Sequence, residues 1–185
     1  PLGERIWSSF FQSVTTRTAG FNTADLDKMT DSGKMGMVLL MVIGGSPGST
    51  AGGMKTTTAA VLFAMAISVF RKNEQAHLYN RRIAEETQRN AATIFVLYMM
   101  LFTGSAMVIS YVEKVPLVTA FFETGSAIGT VGLSLGLTPT LGLASRLVLI
   151  CLMFFGRVGG LTLIFATVSG KRTEYKYPQE KITVG

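Results

Sequence analysis

The sequence is poor in cysteine, histidine and tryptophan, with one of each, and charged residues make up only 15% of its 185 positions. A lone cysteine excludes an internal disulfide and any zinc-type cysteine spacing, so Cys151 reads as a packed helix residue. The single histidine, His77, lies in a polar stretch and reads as solvated. No catalytic constellation stands out, and the chain is not expected to be an enzyme. It begins Pro-Leu-Gly-Glu, without an initiator Met and without the basic region and apolar run of a signal peptide, and therefore reads as a fragment.

Charge is also missing locally. Residues 91–112, AATIFVLYMMLFTGSAMVISYV, contain none, and as a helix of about 33 Å they would cross a bilayer. A second apolar run, residues 147–168, is broken only by Arg157. The basic residues cluster at two places: Arg71, Lys72, Arg81, Arg82 and Arg89 between apolar stretches, and Lys171, Arg172, Lys176 and Lys181 after the last. Lys and Arg are retained on the cytoplasmic side, so both clusters read as cytosolic. The opposite segments hold Arg5, Lys28, Lys34, Lys114 and Arg146 against Glu4, Asp25, Asp27, Asp31 and Glu113. The net charge of +6 is thus mainly a topology signal, and nucleic acid is excluded as a partner because the basic residues flank membrane spans.

What the sequence does have is an internal repeat. SFFQSVTTRTAGFN, from Ser9, resembles AFFETGSAIGTVGLS, from Ala120, although Phe11 precedes Gly20 by nine residues and Phe122 precedes Gly132 by ten. Each copy opens on a helical run too short to span, residues 2–16 and 117–128, and continues into a glycine-containing stretch. A helix-start signal follows, Asp31-Ser32 in one copy and Thr138-Pro139-Thr140 in the other, and then an apolar helix. Non-helical backbone at membrane depth is tolerated only where it is buried in protein or lines a wet cavity. Thr18, Ala19, Gly20 and Phe21, with Thr130, Val131, Gly132 and Leu133, meet that condition if they line a pore whose carbonyls replace a cation's hydration shell. Glycine serves there because a Cβ penalises the dihedrals required. For one copy alone, an ordinary turn glycine would explain the pattern equally well.

The combination of TTRTAGFNT, GGSPGSTAGGMKT, SAIGTVGLS and FFGRVGG resembles the Trk/Ktr/HKT superfamily of potassium transporters, closest to a bacterial Ktr membrane subunit, over nearly the whole chain. The resemblance implies an all-α membrane protein. Its two span, re-entrant pore helix, filter and span repeats resemble potassium-channel subunits and correspond to repeats three and four of four. Residues 1–72 would be repeat three without its first span: pore helix 2–16, filter 18–22 and a broken second helix 31–70 with an intramembrane loop at 44–56. Residues 73–90 would be a cytosolic linker. Residues 91–170 would be repeat four, with span 91–112, pore helix 117–128, filter 130–134 and second span 144–168, and residues 171–185 a cytosolic tail. Gly20 and Gly132 would be the filter glycines, and potassium would sit at the carbonyls of Thr18, Ala19, Gly20, Thr130, Val131 and Gly132. Sodium is admitted as an activating or coupled ion.

The break in residues 31–70 is visible without the resemblance. Apolar residues 35–43 and 59–70 flank a loop rich in Gly44, Gly45, Gly48, Gly52 and Gly53, with Pro47 among them. Two half-helices of about 20 Å joined by such a loop fit one crossing. Gly48, Gly53, Lys55 and Thr56 come close to the phosphate-binding pattern G-x-x-x-x-G-K-S/T, which leaves an ATP-binding membrane protein as an alternative. Met54 displaces the lysine from its required place, and no later strand ends in an acidic magnesium ligand. A non-conducting structural membrane module is the remaining alternative.

An ionised side chain deep in a membrane costs at least about 2.5 kcal/mol and generally faces a cavity or a partner. Arg157 lies about 20 Å along its helix from Ala144, beyond simple snorkelling. The resemblance places the matching arginine beside the loop, which would obstruct the pore from the cytosolic side, so Lys55 and Arg157 join the loop glycines as gate residues. A structural salt bridge is the competing reading for both. Arg17 is expected to pair with Glu123. Asp25, Asp27 and Asp31 either draw cations to the outer mouth or cap the next helix. Residues 77–90 are helix-compatible, and the tail reads as extended. The resemblance further implies a homodimer in the lipid bilayer, completed by the first half of the same transporter and resting on a cytosolic nucleotide-binding regulatory ring.

Overall fold

The computed structural model describes residues 2–73, 75–79 and 81–159. Six α-helices make up most of this part: α1 (Leu2–Thr15), α2 (Asp31–Val42), α3 (Thr56–Phe70), α4 (Glu85–Glu113), α5 (Leu117–Ile128) and α6 (Leu143–Val158). Short 3-10 turns cover Leu26–Lys28 and Thr138–Thr140. A hairpin of two-residue strands, β1 (His77–Leu78) and β2 (Arg81–Arg82), pairs His77 with Arg82 and Leu78 with Arg81.

Helix α5 is the centre of the bundle and packs against α2, α4 and α6. Its alanine, glycine and hydroxyl-bearing residues let three helices approach it. From Phe122 to Ile128 every residue is buried. Phe122, Ile128, Met41 of α2 and Ile109 of α4 are fully enclosed and anchor the core. Helix α4 buries Ala91, Ile94, Tyr98, Phe102, Ala106 and Ile109, a stripe at three- and four-residue intervals that keeps one face on its neighbours. Its outer side is apolar as well, with Val96, Met100, Met107 and Tyr111 exposed. Among the described residues α4 is the one helix long and apolar enough to cross a membrane, by length and composition.

Several local expectations need correction. The stretch from His77, expected to be helical up to Asn90, forms the hairpin instead, closed by the Ile83 amide donating to the Ala76 carbonyl at 2.9 Å. Helix α4 then starts at Glu85, so the apolar run at 91–112 sits inside a longer helix. Neither expected helix-start signal caps its helix. Thr30 caps α2 through its hydroxyl, which accepts from the Gly33 amide at 3.2 Å. Thr138–Thr140 forms its own 3-10 turn, and α6 begins after Gly142. Glu113, at the end of α4, accepts from the Gly142 amide at 2.9 Å and the Ser145 hydroxyl at 2.6 Å, which satisfies the first turn of α6 from outside. The parts of the expected span 144–168 and fourth repeat that follow residue 159, and the tail 171–185, lie outside the described residues.

Between α2 and α3 the chain leaves one helix, loops and returns beside itself. Ile43 and Met54 form an isolated parallel bridge, with the Gly44 amide donating to the Met54 carbonyl at 2.8 Å and the Met54 amide to Val42 at 3.1 Å. The loop from residue 44 to 53 is therefore closed at its base.

Candidate functional site

Two glycine segments face each other at the centre of the described residues. The first leaves the C-terminus of α1 and the second that of α5. In the first, Thr18 and Gly20 have φ of 67° and 74°, and in the second Thr130 and Gly132 have 49° and 94°. Ala19 and Val131, between them, do not have positive φ. Alternating handedness turns successive peptide planes the same way, so such a run can gather its carbonyls on one side. A β-branched threonine in the left-handed region costs about 1–3 kcal/mol and persists only where its surroundings over-determine it.

Those surroundings are visible. The Ala19 and Gly20 amides both donate to the Thr15 carbonyl, at 3.1 and 3.2 Å, and the Thr15 hydroxyl donates to Phe21 O at 2.6 Å. Behind the second segment the Thr130 and Val131 amides donate to Ala127 and Ser126 at 3.0 and 2.9 Å. Equivalent side chains brace the far ends. Gln12 Nε2 donates to Asn22 Oδ1 at 3.0 Å. Glu123 accepts from Ser134 Oγ (2.7 Å), the Leu135 amide (3.0 Å) and Thr138 Oγ1 (2.7 Å). The segments also touch directly: Thr18 Oγ1 donates to Gly129 O at 3.1 Å, and a Cβ on Gly20 would overlap the Val131 carbonyl.

The intramembrane-loop candidate closes against this pair. A Cβ on Gly52 would overlap the Thr130 side chain, and one on Gly156 of α6 would overlap the Ile128 carbonyl. The Gly53 amide donates to Gly156 O at 3.3 Å. Three cationic side chains hold loop carbonyls. Arg157 Nη1 donates to Thr50 O. Lys55 Nζ donates to Ala51 O at 2.6 Å and reaches Ser49 O at 3.5 Å. Arg17 Nη1 donates to Ile43 O and, at 3.1 Å, to Gly44 O.

A profile of the TrkH family, described as cation transport protein, matches residues 1–175 of the sequence. The chain belongs to the TrkH family. It is 42% identical over 189 residues to the potassium/sodium uptake protein NtpJ of Enterococcus hirae, an alignment covering 98% of this chain and 42% of that protein. It is 35% identical over 182 residues to Ktr system potassium uptake protein B of Bacillus subtilis (98% and 41% covered). Ktr system potassium uptake protein D of the same organism is 33% identical over 182 residues (97% and 40% covered). The chain therefore spans about two fifths of the length of these relatives.

This TrkH-family chain brings most of the sequence-derived site residues together. Gly44, Gly45, Gly48, Gly52, Gly53 and Lys55 lie in or at the end of the loop, with Arg157 on its tip. Phe21 and Leu133 occupy matching positions in different surroundings, the first 72% and the second 3% exposed. Glu123, Thr130, Gly132, Ser134 and Arg157 share the lining of one cavity of about 700 Å³. The Thr130 hydroxyl is buried without a hydrogen-bond partner among the described residues.

The expected Arg17–Glu123 pair does not form, because each is engaged by other groups on separate elements. Arg17 is a loop contact that the pattern of residues did not reveal, and Glu123 braces its segment through Ser134, Leu135 and Thr138 instead of through Arg17. The brace had left a signal, since Gln12 with Asn22 and Glu123 with Ser134 occupy equivalent places in the aligned copies. The phosphate-loop alternative also lacks its framework. Residues 35–42 belong to helix α2 where that motif needs a strand, and Lys55 is turned onto its own loop. Asp25 is paired with Lys28 at 2.8 Å, and the ammonium holds its carboxyl below the usual carboxylate range. None of the three aspartates supplies the α2 cap.

Proposed function

We propose that this chain forms two adjacent walls of a potassium-conducting pore in the cell membrane. The carbonyls of Thr18, Ala19, Gly20, Thr130, Val131 and Gly132 would replace the ion's water shell. The observation carrying this reading is the shared alternation of backbone handedness, Thr18 and Gly20 in one segment and Thr130 and Gly132 in the other, each after a helix too short to span. Potassium uptake in the names of the relatives supports the choice of ion, and the potassium/sodium name of one keeps sodium as a coupled or activating ion. Residues 1–72 and 91–170 then act as repeats three and four, joined by a cytosolic linker at 73–90 and followed by a cytosolic tail at 171–185.

In this reading the loop at 44–56 is the gate, and Arg157 holds it shut while placing a positive charge beside the ion path. The pore is completed by the first half of the same transporter, works in the bilayer as a homodimer, and is opened by a cytosolic nucleotide-binding ring that contacts the linker and tail. No covalent chemistry is involved. The test is potassium uptake by potassium-deficient cells expressing the full-length transporter with Gly20 or Gly132 replaced by serine. Loss of potassium preference at normal membrane levels supports the pore, whereas unchanged uptake by both variants overturns it.

A further inference from the structure

We propose that Arg17 anchors the loop at its base and couples the loop's position to the shape of the first glycine segment, a role that rests on the pore reading above. Arg17 follows α1 and immediately precedes Thr18, whose φ is 67°. Its guanidinium reaches 26 and 27 residues along the chain to the carbonyls of Ile43 and Gly44. Ile43 is the C-cap of α2, where helix carbonyls lack intrahelical partners and carry partial negative charge, so a cation is favoured there. Ile43 is also one half of the bridge that closes the loop, its partner being Met54.

The three cations divide the loop among them. Arg157 holds its tip at Thr50, Lys55 its return at Ala51, and Arg17 its first residues. A loop that swings at its tip breaks the Arg157 contact and can leave the base in place. A loop that shifts at its base must release Arg17 or drag it, and Arg17 is one peptide from Thr18, whose hydroxyl is fixed on Gly129 O at 3.1 Å. The anchor therefore links loop position to the glycine segment through a single covalent step. Arginine suits the place because one terminal nitrogen, Nη1, donates to both carbonyls and the guanidinium is more weakly hydrated than the ammonium of lysine.

The experiment uses the full-length transporter with its cysteines replaced, Cys151→Ser included, and Ser49→Cys introduced at the exposed loop tip. The rate of modification by a membrane-impermeant maleimide from the cytosolic side is measured beside the potassium-to-sodium flux ratio. Arg17→Gln is expected to raise the modification rate on the order of tenfold, as loss of charge-assisted hydrogen bonds implies, and to lower the flux ratio, with Arg17→Lys intermediate. Arg157→Ala, which frees the tip, should raise the modification rate as well. A wild-type modification rate in Arg17→Gln overturns the anchor, whatever happens to flux. Should that variant fail to reach the membrane, a wild-type rate in Arg17→Met does the same. The labelling needs no transport, so an anchor that fails is distinguishable from a pore reading that fails.

Discussion

The guanidinium of Arg157 donates to the carbonyl of Thr50, joining the last described helix to the tip of a loop 107 residues earlier. A hydrogen bond to a charged group contributes about 1.5–3 kcal/mol. If that bond closes the pore, Arg157→Ala in the full-length transporter should raise potassium flux without its regulator on the order of tenfold. Flux assays in proteoliposomes check this, and unchanged flux would remove Arg157 from the gate.

Gly132 has a φ of 94° and Gly20 one of 74°. A Cβ in the left-handed region costs roughly 1–2 kcal/mol, and at Gly20 it would also meet the Val131 carbonyl. Both Gly→Ala variants should lose potassium-over-sodium preference, Gly20→Ala the more severely because overlap adds to strain. Competition uptake with the two ions is the measurement.

Gly52→Ala tests how the loop seats. The added methyl would overlap Thr130, so the loop must move off the glycine segments or push them apart. Higher basal flux with normal membrane levels is expected, together with faster cytosolic modification of a cysteine at Ser49.

Glu123→Gln keeps the size of the side chain and exchanges one acceptor oxygen for a donor nitrogen. With its oxygen in the place of Oε1 the amide keeps the Ser134 hydroxyl and the Leu135 amide, while its nitrogen faces the Thr138 hydroxyl, which must turn from donor to acceptor. Exchanging a charged acceptor for a neutral amide is expected to cost about 1 kcal/mol. It should be read as a lower melting temperature in detergent, with a larger drop for Glu123→Ala than for Gln12→Ala on the single-bonded side.

Much of the helical framework was legible because strong local signals coincide. The short helix at 117–128 lies between Pro116 and Gly129, and α5 covers those same residues. The glycine- and proline-rich interruption separates α2 from α3 because that composition cannot sustain a helix. The hairpin was not legible. His77 to Arg82 has weak helical propensity, and the choice went to a left-handed Tyr79, with φ 47°, and to one closing hydrogen bond from Ile83. The helix caps failed for a similar reason. Thr30, one residue before the expected signal, took the α2 cap, and α6 was satisfied by Glu113 from a different helix, a partner no local pattern reveals.

By itself the sequence determined two short helices running into threonine-glycine segments, a broken helix between them, and a charged residue in an apolar stretch. These follow from composition and spacing along the chain. Only the tertiary structure decided which carbonyls the three cations hold. Arg17 turned away from Glu123 toward Ile43 and Gly44, and Glu123 turned to Ser134, Leu135 and Thr138. A guanidinium accepts any well-placed carbonyl, and carbonyls occur at every residue, so the choice depends on which backbone the packing of α1, α2, α5 and α6 brings within reach.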